Sequence, residues 1–370
     1  MDFSKSILTV KRNIAKLKLM ALKVTIAIET CFLFDQLQNR GIGRHGREIY
    51  KRLLVDGRLN GQEIKVLWLG FNDLAQNLER LFERNIPADL PEIEFVSLGK
   101  DKLSSPITNL RLYVGGIRPI VQKYSPDIYF AMYFERGLPV GLVPVVVTSY
   151  DAIPMRTRKF SSRSGIVGWL KGKFYKHMWY KQTQAAAIVT VSNTSKAELI
   201  DFGHLPAAKI KVVNCGISEI FFKNEAELGD WRHKLPASTL NADYLIYDGG
   251  LEANKNVDQL FRTFDTLLAT LPSLKLVLTG NDFEPGVDIV SSKPKHSRAE
   301  MYRNLAIELG IESHIIPVGR VSEPALVGLL KHAKAYINFS DLEGFGFGPL
   351  QAMAAGVAPI ISNNACFIEI

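Results

Sequence analysis

The chain has 370 residues, 47% of them hydrophobic, and its 45 lysines and arginines against 37 acidic residues give a net charge of +8. This length and apolar content predict two globular domains and exclude a disordered chain. No apolar run reaches the roughly 20 residues that cross a bilayer, and the start lacks the apolar core and cleavage site of a secretory signal.

The charge and the cysteines narrow the possible partners and the location. Positive charge suits nucleic acid, an anionic membrane surface or a polyanionic substrate. Because the charge is spread along the chain without a nucleic-acid-binding motif, we expect no nucleic-acid partner. Cys31, Cys215 and Cys366 have no metal-ligand spacing and form no even-numbered framework, which predicts a cytoplasmic protein, at the inner face of the membrane if it contacts lipid.

Residues 1–22 form a basic extension ahead of the first predicted strand, with apolar side chains alternating with lysines and arginines. The pattern predicts a basic amphipathic helix, which either anchors the chain at a membrane surface or is simply solvated. A third interpretation is that translation begins at Met20. We favour the two interpretations without a membrane, because basic faces are common on exposed helices.

The first predicted strand, 23–29, leads into a glycine-rich loop at 41–46 and a helix through residue 54. The loop matches G-x-G-x-x-G, the fingerprint of dinucleotide-dependent oxidoreductases. In that fingerprint the strand ends at the first glycine, whereas here 11 residues intervene, and no acidic residue ends a second strand to bind a ribose. The match is therefore weak evidence for an oxidoreductase, although binding of a nicotinamide cofactor would establish one.

Further strands are predicted at regular intervals, with helical segments between them: 63–69, 93–96, 127–132, 143–148, 188–192 and 209–214. This alternation predicts a parallel, doubly wound sheet. Tyr150 and Asp151 follow the strand 143–148 at its carboxyl end, where α/β sheets bind their ligands. The segment 156–181 is basic and aromatic, and either rests on a bilayer or packs its aromatic side chains inward; we favour inward packing.

A linker is predicted at 219–241, followed by a second alternating region with strands at 244–248, 274–278 and 314–318 and a helix at 297–309. Lys255 comes shortly after the first of these strands. At 335–361 the order is strand, glycine-rich turn, helix beginning at or next to Pro349, and strand. Such a turn points backbone N–H groups and a helix N-terminus at one spot, where phosphate usually binds, and Glu343 lies beside it.

The last of these segments, E-G-F-G-F-G-P-L-Q-A-M-A-A-G, resembles the signature of the retaining glycosyltransferases of family 4. Glu343 and the segment 352–356 match, Gln351 replaces the second glutamate of that signature, and Pro349 sits one place late. The segments G-I-G-R at 41–44, Y-D-A-I-P at 150–154 and K-N at 255–256 also resemble family motifs and occur in the family's order.

The resemblance implies an α/β fold of the GT-B type, with two Rossmann-like, doubly wound parallel-sheet domains facing a cleft. We expect the acceptor-side domain at 23–218, the linker at 219–241 and the nucleotide-sugar-binding domain at 242–370. The family continues well beyond the position that corresponds to residue 370. We therefore expect the second domain to be incomplete and the chain to be a fragment.

The resemblance also assigns roles to individual residues. Glu343, Lys255 and Asp151 are the expected catalytic residues, with Lys255 on the donor diphosphate and Asp151 either orienting an acceptor hydroxyl or capping a turn. The expected donor-binding residues are Gly43, Lys255, Gly346, Phe347, Gln351 and Val321, and the expected acceptor-side residues are Tyr150 and Asp151. The arginine that accompanies the lysine in the family is missing, because its two usual positions are Gly250 and Asn254.

The predicted function is a retaining transfer of a sugar from a nucleotide diphosphate sugar to a glycan or lipid-linked acceptor. The chain has no D-x-D motif, so we expect no metal and no cofactor besides the GDP- or UDP-linked donor. The combination of motifs looks most like bacterial mannosyltransferases of surface polysaccharide synthesis, which favours GDP-mannose slightly. The alternatives are a non-catalytic nucleotide- or glycan-binding relative, suggested by Gln351 and the missing arginine, and a sugar epimerase of the same fold.

Overall fold

The computed structural model describes residues 23–34, 41–82, 85–99, 116–156, 165–228, 231–232, 242–284 and 297–370. The predicted helix at 1–22 and most of the second half of the predicted linker lie outside these residues. The chain separates into two compact units, which group Met1–Ser149 with Ser164–Ile188 and Tyr150–Arg163 with Val189–Ile370. The domain limits expected from the sequence stay a prediction.

Strands and helices alternate along the chain, as the sequence predicts for an α/β protein. The strands are β1 (Val24–Glu29), β2 (Arg58–Leu59), β3 (Gln62–Gly70), β4 (Glu92–Ser97), β5 (Ile128–Ala131), β6 (Val145–Thr148), β7 (Ala187–Thr190), β8 (Ile210–Val212), β9 (Tyr244–Asp248), β10 (Lys275–Thr279), β11 (Ile315–Gly319), β12 (Ala335–Asn338) and β13 (Pro359–Ile361). The α-helices are α1 (Gly41–Asp56), α2 (Leu74–Phe82), α3 (Ile117–Tyr124), α4 (Ile153–Arg156), α5 (Gly165–Lys181), α6 (Asn193–Asp201), α7 (Val257–Leu268), α8 (Ser297–Leu309), α9 (Glu323–His332), α10 (Phe347–Ala354) and α11 (Ala365–Glu369).

The first sheet has the strand order β2-β3-β1-β5-β6-β7-β8, with β4 pairing with β3. Its central pairs are parallel, and the order reverses direction at β1, which is the doubly wound arrangement predicted from the sequence. The short strand β2 was not predicted. It pairs with β3 in antiparallel fashion through a turn at Asn60 and Gly61, both of which have positive φ, as tight hairpin turns require.

The glycine-rich segment 41–46 is helical, so its prediction as a loop was wrong. Helix α1 begins at Gly41 and includes the whole segment. A Cβ atom on Gly46 would lie 2.9 Å from the ring of Phe32, which is buried. At this position, therefore, glycine allows close packing of the helix against the short turn Cys31–Phe34.

The second sheet has the order β11-β10-β9-β12-β13, and all of its pairs are parallel. One apolar cluster covers one side, with Leu260 and Phe264 of α7 and Tyr302 of α8. A second cluster includes Val327 of α9 and Ala352 of α10. Because β9 and β12 are neighbours, the loops that follow them leave the sheet side by side at the same edge.

Helix α5 has a buried aromatic side and an exposed one. Tyr175 and Trp179 pack edge-on against Phe134, which confirms the predicted inward packing for these rings. Trp169 and Leu170 are each 54% exposed on the same helix. None of the helices in the described ranges combines the length and the apolar character needed to cross a membrane.

Candidate active site

The glycine-rich turn after β12 carries Glu343 and ends at Gly346, where φ is +94° and glycine is strongly favoured. Helix α10 begins immediately afterwards at Phe347, two residues before Pro349, and its start was predicted at or next to that proline. The left-handed conformation of Gly346 turns the chain directly into the helix. Pro349 still lies in the first turn, where no backbone N–H is needed for an intrahelical bond.

The amino group of Lys255 donates a hydrogen bond to the Glu343 carboxylate, with 2.7 Å between Nζ and Oε1. The side chains are only 21% and 16% exposed. Burial lowers the pKa of Lys255, but its attraction and hydrogen bond to Glu343, with Glu252 and Asp248 nearby, outweigh burial and raise the pKa above its ordinary value. Lys255 is therefore positively charged at neutral pH and is paired with the carboxylate of Glu343.

Asn254 joins the loops of Lys255 and Glu343 to each other. Its backbone carbonyl accepts a hydrogen bond from the N–H of Asp341 at 2.8 Å, and its side-chain amide donates to the carbonyl of Leu342 at 2.9 Å. The sequence placed Asn254 only as a position where the family arginine is missing. In the structure these two hydrogen bonds of Asn254 hold the loop of Lys255 beside the loop of Glu343.

Asp151 lies in the electrostatic field of the Lys255–Glu343 pair. Burial raises the pKa of its carboxyl group from 3.8 to about 6, and the negative charges of Glu198 and Glu343 add to this, while the Ile153 N–H and Lys255 oppose it. Its Oδ1 accepts a hydrogen bond from the Ile153 N–H at 3.0 Å, which is the turn-capping contact considered in the sequence analysis.

Tyr150 and the remaining predicted residues occupy different environments. Tyr150 is buried, and burial raises the pKa of its phenol well above the ordinary value. Gln351 is buried within α10, and Phe347 packs against Phe345 with 5.2 Å between the ring centroids. Val321 packs against the second apolar cluster.

Gly43 is buried in α1 of the first compact unit, whereas the other predicted site residues belong to the second unit. Its role as a donor-binding residue stays a prediction. Since the segment is helical, Gly43 would have to contact a ligand from the first turn of α1 instead of from a loop.

Gly250 is one of the two positions where the family arginine is missing, and its surroundings are acidic. A Cβ atom on Gly250 would meet the carboxylate of Glu252 and would lie 3.2 Å from Oδ2 of Asp282. Asp282 also accepts a hydrogen bond from the Leu251 N–H at 3.0 Å. An arginine side chain starting here would thus enter between two carboxylates, and in this chain Lys255 is the cation that the structure places beside Glu343.

Two further contacts were not foreseen from the sequence. Arg156 and Glu198 form an ion pair with 2.6 Å between Nη1 and Oε1, close to a cavity of about 330 Å³ that Glu343 also lines. Ser192 and Ser195 both contact the loop of Glu343. Ser192 is the N-cap of α6, and this local role does not indicate a distant partner for its side chain. Within the described ranges, no group of three or more His, Cys, Asp or Glu side chains could hold a metal ion.

Two protein families match this chain, one in each half. The family described as Glycosyltransferase Family 4 matches residues 41–219, and the family described as Glycosyl transferases group 1 matches residues 233–370. The serotype-specific mannosyltransferase WbdA of Escherichia coli is 22% identical over 344 residues, which are 90% of this chain and 39% of WbdA. The GDP-mannose:cellobiosyl-diphosphopolyprenol alpha-mannosyltransferase of Komagataeibacter xylinus is 24% identical over 200 residues, 53% of this chain and 44% of that protein.

Among solved structures, Anabaena Alr3699/HepE in complex with UDP-glucose superposes with a TM-score of 0.62 at 15% identity, over 93% of this chain and 82% of that one. The fold is therefore the GT-B fold of glycosyltransferases. The chain belongs to the family 4 type of these proteins, because the two families together match residues 41–219 and 233–370. It spans about two fifths of the length of WbdA, since it covers 39% of that protein.

Proposed function

We propose that this protein transfers a sugar from a nucleotide diphosphate sugar to a hydroxyl group of a glycan or lipid-linked acceptor, with retention at the anomeric carbon and without a metal ion. The observation that carries the proposal is the 2.7 Å contact between Lys255 and Glu343 beside a glycine-rich turn and a helix N-terminus. A cation and a carboxylate held together at the ends of parallel strands suit a donor that has a diphosphate and a sugar.

Each residue has a distinct task in this mechanism. Lys255 would neutralise the negative charge that develops on the leaving diphosphate as its bond to the anomeric carbon breaks. The N–H groups at the start of α10 would add a smaller positive field. Glu343 would accept hydrogen bonds from hydroxyl groups of the donor sugar and hold its anomeric carbon towards the acceptor.

Asp151 would orient the acceptor hydroxyl. The proton of that hydroxyl would pass to the departing phosphate oxygen. The new carbon–oxygen bond then forms on the face from which the diphosphate leaves, which gives retention. Two tests address these points directly. Turnover should be unchanged by EDTA, and NMR of the product should show the same anomeric configuration as the donor.

GDP-mannose is the donor that we favour. Support comes from the relatives whose names include mannosyltransferase, one of which also names GDP-mannose and a polyprenol-linked acceptor. The solved structure with UDP-glucose supports the fold alone at 15% identity, so it does not weigh against GDP.

A thermal-shift panel with GDP, UDP, ADP, dTDP and NAD tests the donor site. We expect GDP to raise the melting temperature selectively, because a ligand present at about 100 times its Kd stabilises the folded state by about 2.7 kcal/mol. Selective stabilisation by UDP would support the same donor site, but with a UDP-linked donor instead of a GDP-linked one. A shift with NAD alone would overturn the proposal in favour of an oxidoreductase.

Peripheral membrane contact is proposed for the exposed side of α5. Trp169 and Leu170 are exposed there, and Lys173 places its amino group 4.1 Å from the centroid of the Trp169 ring, an arrangement that suits anionic headgroups. We expect Trp169→Ser combined with Leu170→Ser to weaken cosedimentation with phosphatidylglycerol vesicles about tenfold. The exposed Phe222 provides the control Phe222→Ser, and equal binding of all variants would refute membrane contact through α5.

A non-catalytic relative is the second candidate, and the acidic surroundings of Gly250 favour it. Carboxylates near the diphosphate site weaken binding of an anionic donor unless Lys255 compensates for them. Release of GDP from GDP-mannose by the purified protein, with a rate proportional to enzyme concentration, would exclude this candidate.

A further inference from the structure

The carbonyl oxygen of Gly344, immediately after Glu343, accepts two hydrogen bonds from serine side chains. Ser192 Oγ and Ser195 Oγ each lie 2.7 Å from this oxygen. Both serines are fully buried. A backbone carbonyl has two lone pairs, so the two hydroxyl groups use its whole capacity and fix the plane of this peptide group.

The directions of these hydrogen bonds are determined by the helix cap. Ser192 is the N-cap of α6, and its Oγ accepts the N–H of Ser195 at 2.9 Å. A hydroxyl group has a single proton to donate, so the proton of Ser192 points at Gly344. The start of α6 is itself held by Glu369, whose carboxylate accepts the N–H groups of Asn193 at 2.6 Å and Thr194 at 2.8 Å.

The backbone before Glu343 is held as firmly as the backbone after it. The Leu342 carbonyl accepts the side-chain amide of Asn254, while Lys255 holds the carboxylate of Glu343. Glycine has a wider range of backbone conformations than any other residue, so a peptide at Gly344 needs contacts to hold one orientation. The two serines supply hydrogen bonds that restrict the backbone on the glycine side of Glu343.

We propose that Ser192 and Ser195 are positioning residues, which hold the Gly344 peptide and thereby place the Glu343 carboxylate for the reaction. The assignment rests on the proposed function, because it requires Glu343 to act on the donor sugar. Neither serine needs to touch a substrate. Loss of a hydroxyl group would let the loop shift, and a displacement of about 1 Å of a reacting group can cost about 10²-fold in rate.

Ser195→Ala is the decisive variant, because it removes one hydroxyl group and leaves the cap hydrogen bond between Ser192 Oγ and the backbone N–H of residue 195. We expect kcat for GDP release from GDP-mannose, with methyl α-mannoside as acceptor, to fall about tenfold or more. KM for GDP-mannose and Kd for GDP should stay within about twofold, since the diphosphate contacts are intact. Ser192→Thr keeps both the cap and the donor hydroxyl and should retain most of the activity.

Thr266→Ala is the matched control, because Thr266 Oγ1 also donates to a backbone carbonyl, that of Arg262 at 3.0 Å, but on the exposed side of α7. Melting temperatures of all variants show whether Ser195→Ala is folded. If it melts like the wild type and keeps its kcat, or if KM rises with kcat unchanged, the serine assignment is wrong.

A double variant separates this assignment from the proposed function. In the Glu343→Gln background, Ser195→Ala should cause almost no further loss, because its effect acts through the carboxylate. Equal losses in both backgrounds would refute positioning through Glu343. If the wild type turns over no nucleotide sugar, the proposed function itself fails. If Glu343→Gln is fully active, the role of Glu343 and the serine assignment fail while sugar transfer stands.

Discussion

Glu343→Gln is expected to lower the turnover of GDP-mannose about 10²- to 10³-fold while GDP binds with nearly unchanged affinity. Glutamine keeps the shape of the side chain but removes the negative charge that pairs with Lys255 and that, in the proposed mechanism, holds the sugar hydroxyl groups. The loss should appear in kcat, because the interaction strengthens as charge develops at the reacting centre. Steady-state kinetics and calorimetric titration with GDP provide the two measurements.

Loss of the carboxylate also leaves Lys255 largely buried without its counter-charge, so melting temperatures must accompany the kinetics. Glu308→Gln is the control, because Glu308 is exposed on α8 and belongs to no site. Wild-type turnover by a folded Glu343→Gln variant would remove Glu343 from the mechanism. Loss of GDP binding together with turnover would instead assign Glu343 to donor binding.

Asp151→Asn is expected to stabilise the protein at pH 7 and to reduce its activity at the same time. Burial raises the pKa of this carboxyl group from 3.8 to about 6, so the ionised form at neutral pH is unfavourable in the folded state. Between these two values the folded state binds more protons than the unfolded state, and the contribution of Asp151 to stability falls as pH rises. Asparagine removes the charge and should raise the free energy of unfolding by about 2 kcal/mol at pH 7.

The stabilisation should shrink through the window between pH 6 and pH 4 and vanish below it, where Asp151 is protonated in both states. Asparagine can still accept the Ile153 N–H, so the turn stays capped. If Asp151 orients the acceptor, transfer falls about 10²-fold. The measurements are urea unfolding at pH 4 and pH 7 and transfer assays. The control is Asp89→Asn, at an exposed loop position. Together they show whether Asp151 only caps the turn or also acts in transfer.

Most of the fold follows from hydrophobic runs, and the exceptions have local causes. The strands β1, β3 and β12 lie within a residue or two of their predicted limits, because each contains a concentrated stretch of apolar residues, such as V-L-W-L in β3. Strand β2 has two residues, too few for any periodicity. The start of α1 was misplaced because glycine usually indicates a loop, and the ring of Phe32 that selects Gly46 lies elsewhere in the sequence.

The charged centre of the site was predicted from motifs, whereas its supporting contacts were not. Lys255 and Glu343 are 88 positions apart, and their proximity depends on β9 and β12 being neighbours in the sheet. Strand order is a property of the whole topology and cannot be deduced from either motif. Ser192 forms the N-cap of α6, and this local role explains a serine at the position without any second contact.

The serine contacts with Gly344 can form only after the loop that follows β12 has been synthesised. They join positions 152 and 149 residues apart. At about 5–20 residues per second, a ribosome needs roughly 8–30 s to make the intervening chain. Helix α6 can form with its own cap during that time, but its two hydroxyl groups have no Gly344 carbonyl to bind until the loop after β12 has been made. Glu343 thus reaches its final position only after β1 to β12 have been synthesised.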